Sequence, residues 1–170
     1  MCLAALSLLA PLSCVSAQPA GGGSTAPSPS GKCWPVTPLA LQALDHGTEW
    51  KAIVWLDAAG SIHHSKSAEP IGRLANDRAD LGDGNMICKP SGVVSIPGSE
   101  SDARYGSDDA LELGAARIYV SDAGEVEFRE GDRDILGTKT TGKVRVTGDV
   151  KKARRTAEIL VLLAIAGPPS

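Results

Sequence analysis

Three histidines, His46, His63 and His64, are the imidazoles available for metal ligation or proton transfer. His63 and His64 are adjacent, so in a strand they point to opposite faces and cannot chelate one metal together. Ser61, His63 and Asp57 lie close enough in sequence to suggest a nucleophile, a base and an orienting acid. Turn composition accounts for Ser61 and Asp57 equally well. No Gly-x-Ser-x-Gly elbow accompanies them. Asp77, Asp80 and Asp83 precede Gly84-Asn85, a grouping suited to calcium. Their spacing of three fails the alternation of a calcium loop, and a solvated Asp-rich turn is the plainer reading. No glycine loop of the phosphate-cradling type occurs. We therefore expect no catalytic residue, no metal and no cofactor.

The carboxylates are abundant but unevenly spread. Between Glu100 and Asp134 eleven acids face four arginines. Two of those acids could stand at glycosidase distance, but most must be strand faces and turns. Sugar clefts also use aromatic platforms, and six aromatics cannot fill both a core and a cleft. The C-terminal part is basic, with Lys139, Lys143, Arg145, Lys151, Lys152, Arg154 and Arg155 against Asp149 and Glu158. That asymmetry fits either an anionic surface or, as we prefer, pairing with the acidic segment inside one fold. The net charge of −3 does not suit a nucleic-acid binder.

The cysteines speak of compartment. Residues 1–17 read as a signal peptide, with the apolar run Leu3–Leu12 too short to span a membrane. Two processing sites compete. Val15-Ser16-Ala17 would leave Gln18 as the new N-terminus, whereas Leu12-Ser13-Cys14 resembles a lipobox with Cys14 as the lipidated residue. Residues 18–33 are rich in Gly, Pro and Ser and read as a flexible tether. Once Cys2 and Cys14 are assigned to the leader, Cys33 and Cys88 remain as one pair. In an oxidising compartment that pair predicts a disulfide.

The elements that must position these residues read as mainly β in an α+β domain spanning 34–170. Gly60, Gly92 and Gly124 recur at intervals of 32 residues. Each sits between two apolar runs, as in Val54–Ile62, Met86–Val94 and Ile118–Val126. That is the signature of about three related β-hairpins. Alternation in Leu111–Leu113, Val126–Phe128 and Val144–Val146 gives an antiparallel sheet with one dry and one wet face. Ile71 and Leu74 suggest a further strand. Thr37–Leu44 reads as a short helix, with Thr37 to cap it and Pro38 at its first position. Lys151–Ala166 reads as a closing helix, capped by Asp149 and stopped by Gly167-Pro168-Pro169; a central strand is the alternative for its apolar run.

The leader, the tether, the Asp/Ser-x-Gly hairpins and the ending Ala153–Leu162 together resemble exported and lipid-anchored proteins of high-GC, myxobacterial-type bacteria. The resemblance covers about residues 50–165 and implies no activity. The expectation is a non-catalytic envelope protein acting as a binding or scaffold module. It would lie in the periplasm, on the outer membrane through a lipid at Cys14, or be secreted. Its partner would be an envelope protein or polysaccharide. The competing classes are a secreted hydrolase and a small secreted inhibitor.

Overall fold

The computed structural model describes residues 33–45, 48–82, 84–131, 133–134 and 144–166. The proposed leader with Cys14, most of the tether, His46, Asp83, Lys139, Lys143 and the expected stop at Gly167-Pro168-Pro169 lie outside the described residues.

The fold is mainly antiparallel β with a C-terminal helix. The strands are β1 (Leu39–Asp45), β2 (Glu49–Leu56), β3 (Ser61–His64), β4 (Gly72–Leu74), β5 (Arg78–Leu81), β6 (Gly84–Cys88) and β7 (Val93–Ser95). They continue as β8 (Ala103–Tyr105), β9 (Leu111–Leu113), β10 (Ala116–Val120), β11 (Val126–Glu130), β12 (Arg133–Asp134) and β13 (Val144–Gly148). A 3₁₀ turn, Val150–Lys152, leads into helix α1 (Arg154–Ala166). Among the described residues thirteen strands form one sheet, more than three hairpins supply. Each strand from β1 to β11 pairs with the next in sequence, and β13 pairs with β1. The free side of β13 meets the turn before β11. There the Val146 N–H donates to the Gly124 carbonyl at 2.8 Å, and Glu125 bridges Arg145. The sheet is thereby nearly closed into a barrel.

Closure turns the dry face into an interior. Leu39, Leu41, Val54, Leu56, Ile62, Val94, Leu111 and Val120 are buried there, and α1 packs its Ile159, Leu160 and Val161 among them. Alternate residues such as Ala40, Gln42, Trp55 and Arg145 face outward. The segment expected to be a helix, Thr37–Leu44, is a correction: Leu39–Asp45 is strand β1. Its Leu39 and Leu41 follow period two, and it takes ladder bonds from β2 and β13. Tertiary pairing outweighs a local capping signal of this strength. The apolar C-terminal run is helical, as expected, but it begins at Arg154. Asp149 precedes the 3₁₀ turn, makes no side-chain cap, and pairs with Lys152 at 2.6 Å.

Gly60, Gly92 and Gly124 all adopt φ near +80°, at +85°, +82° and +82°. In each turn the residue three before the glycine accepts its N–H and donates to the residue after it (for example Gly92 N to Lys89 O, and Lys89 N to Val93 O, both at 2.8 Å). This is a type I turn closed by a left-handed bulge residue. Gly106–Ala110 makes the same bonds with Asp109 in the left-handed position, at φ +63°, outside the 32-residue spacing.

Cys33 and Cys88 are joined at disulfide distance, with their Cα atoms 6.1 Å apart. Cys33 closes the expected tether, yet it is buried and belongs to the folded part. The bond pins the segment before β1 to the end of β6.

Candidate functional site

β3 places its two histidines as alternation requires. His64 turns inward and is 2% exposed; its Nδ1 accepts the Lys66 N–H at 3.1 Å, and burial pulls its pKa below the usual histidine range. His63 turns outward and stacks on Trp55 of β2, with ring centroids 5.1 Å apart and planes within 4°. Its Nε2 lies 3.2 Å from Asp57 Oδ2. The other Asp57 oxygen accepts the N–H groups of Ala59 and Ser61 at 2.9 and 2.8 Å. The Ser61 amide bond, then His63, holds the Asp57 carboxyl below the usual range. The structure thus brings Asp57, Ser61 and His63 together, but both Ser61 and His63 bond to Asp57. The serine is not set against the imidazole, as a nucleophile must be.

Among the described residues no three His, Cys, Asp or Glu side chains are grouped to hold a metal. Asp80 pairs with Arg78 across an exposed surface. The acidic segment and the basic ending meet inside the fold: Arg154 pairs with Asp122 and Arg155 with Asp109. Elsewhere on the outer wall Arg117 pairs with Asp108, and Arg104 lies 3.6 Å from Glu112.

The aromatics divide between the core and the outer wall. Trp34 is 0% exposed, but Trp50 and Trp55 are only half-buried and lie on the outer wall. A bulge in β2 opposite Leu41/Gln42 inserts one residue between them, which brings both rings to the same face. The Arg145 guanidinium sits 4.1 Å from the centre of the Trp50 ring and donates through Nε to Gln42 Oε1 at 2.9 Å. On the far side of Trp55 from His63, the neighbour in register is Ala40, whose own neighbour is Thr147. The floor between Trp55 and Thr147 is therefore a single methyl group. The outer face of β13, β1, β2 and β3 presents two indoles rimmed by Arg145, Gln42, His63 and Asp57. Apolar ring surface beside planar hydrogen-bonding groups suits a ligand with both hydroxyls and C–H faces.

A second cluster lies inside. Tyr105 accepts from Trp34 Nε1 at 2.7 Å and donates to the Arg155 carbonyl at 3.1 Å, tying the N-terminal segment and α1 to β8. Glu158 of α1 is 0% exposed. Sequence reasoning passed over it as one charge in a basic ending. The signal was an acid inside the otherwise apolar run Ala157–Val161.

No family model, no curated protein and no solved structure matches this chain.

Proposed function

We propose that the chain is an exported, non-catalytic envelope protein and that its barrel is a binding module for polysaccharide. The observation that carries the reading is the pair of outward indoles on one face, Trp50 under Arg145 and Trp55 against His63. Sugar rings offer C–H faces to indoles and hydroxyls to the Arg145, Gln42 and Asp57 edges. The rim holds one fixed cation and one carboxylate, Arg145 and Asp57, which favours a neutral glycan over a polyanion. Export would place the barrel beside such polymers, anchored by a lipid at Cys14 or free after cleavage before Gln18. The hairpins at Gly60, Gly92 and Gly124 are, in this proposal, copies of one 32-residue unit. Their matching turn bonds support that origin.

Co-sedimentation of the mature protein with insoluble envelope polysaccharide tests the reading. We expect retention of the native protein and a loss of at least about tenfold in affinity for Trp55→Ala, a change of roughly 1.4 kcal/mol. Equal retention of both proteins, or none of either, refutes the assignment of this face. The intact mass of the protein made in an exporting bacterium tests the anchor: a diacylglyceryl adduct on Cys14 supports tethering, and a start at Gln18 supports release. A chain that keeps its leader overturns export.

A further inference from the structure

Glu158 is placed where a carboxylate has nowhere to go. It is 0% exposed. Among the described residues its Oε1 accepts only the Val120 N–H of β10, at a long 3.4 Å, and its Oε2 has no partner. Arg154, one helical turn earlier on the same helix, is the obvious counter-ion. Its guanidinium instead pairs with Asp122, and its Nε is buried without a partner. Arg155 is held by Asp109 through Nε at 3.1 Å and a second, shorter contact. Tyr105 of β8 spends its hydroxyl on Trp34 and the Arg155 carbonyl. Tyr119 of β10 lies under Arg154. Strands β1 and β2, which also pack on α1, bury only the aliphatic Leu39, Leu41, Val54 and Leu56. In the 3₁₀ turn Lys152 is held by Asp149, and Lys151 is exposed. Lys152 and Arg155 are thus committed to other acids, and Arg154 spends its terminal nitrogen on Asp122 rather than on Glu158.

An ionised carboxylate there would lose its water for one weak hydrogen bond. We propose that Glu158 is a proton latch: as a neutral acid it keeps α1 docked in the barrel, and its ionisation releases the helix. Burial, opposed by the Val120 N–H and Arg154, pushes the carboxyl up to about 9. With α1 undocked the group regains water and its ordinary value near 4.5. The docked state then holds one more proton than the open state between these two values. Docking is strongest below pH 4.5 and is lost as pH rises. Over that window each pH unit raises the open-to-docked ratio about tenfold, and the slope ends near pH 9. Tyr105, raised well above 10 by burial, stays neutral throughout. His64, buried on β3, acts in the opposite sense, because protonation rather than deprotonation strains it.

Native-state hydrogen exchange of the full mature protein tests the latch. The opening constant of the α1 amides is measured from pH 5 to 8 and corrected for intrinsic exchange at each pH. We expect it to rise about tenfold per pH unit for Ile159–Leu163 and to stay level for β6 and β7, which lie outside the strands β1, β2 and β10 that chiefly carry α1. In Glu158→Gln, which keeps the shape and removes the titration, the α1 slope should vanish. A slope that persists in the variant overturns the proposal, and so does one shared equally by every strand. Carboxyl carbon shifts of the native protein provide a readout that does not depend on the variant folding. A Glu158 carboxyl that is neutral at pH 7 supports the latch, and one already ionised there refutes it.

Discussion

At the scale of single residues, identical backbone angles do not mean identical tolerance. Gly92 and Gly124 share φ +82°, where any L side chain costs about 1–2 kcal/mol. A Cβ at Gly92 would meet only the Tyr105 Cβ, at 3.8 Å. A Cβ at Gly124 would fall 2.0 Å from the Val146 carbonyl oxygen. Gly92→Ala should therefore lose about 1–2 kcal/mol, and Gly124→Ala about 2–5 kcal/mol once the seam is forced apart. Urea unfolding of both variants checks the order. Equal losses would mean that the seam is not held by Gly124. The sequence marked these glycines through spacing, because turn chemistry is local. It could not separate them, because the Val146 carbonyl arrives from beyond the next two strands. The same blindness hid Trp50 and Trp55. Their residue types were plain, but the bulge that turns both outward depends on how β1 and β2 pair.

At the scale of elements, amphipathic alternation was readable and competition between weak local signals was not. Leu111–Leu113, Val126–Glu130 and Val144–Gly148 are strands because one face of each is apolar, and that pattern survives any context. Leu39–Asp45 carries Leu at 39, 41 and 44, which serves a helix as well as a strand. Two flanking strands decide it. Helix α1 was legible for the opposite reason: a run apolar on every side must be largely enclosed, and it is except towards its end, where Ile165 is 41% exposed. The helix accordingly carries a large share of the core. Cutting the chain after Glu158 removes Ile159, Leu160, Val161 and Leu163, all buried. At roughly 1.5–3 kcal/mol each they represent about 6–12 kcal/mol, comparable to the whole stability of a domain. The truncated protein should melt well below the native protein by circular dichroism. A transition at the native temperature would remove α1 from the core.

At the scale of the whole molecule, the Cys33–Cys88 bond closes a loop of 55 positions. Reduction should lower stability by about 4 kcal/mol, or some 8–16 °C in melting temperature. A reductant-insensitive melt would show that the bond contributes nothing to the folded barrel. The strand order carries a different consequence. Every neighbouring pair from β1 to β12 can form as the chain appears, each from residues already present. The partner of β1 on its other side is β13, and the seam at Gly124 waits for the same strand. Synthesis delivers β13 and α1 after all of β1 to β12. A half-made chain is therefore an open ribbon, with the β1 backbone exposed along one margin and no helix to fill its hollow. Such a margin invites pairing with another nascent copy. Assembly of this protein is consequently a race between the arrival of its final strand and the encounter of two unfinished molecules, and slowing the first or crowding the second should divert it to oligomers.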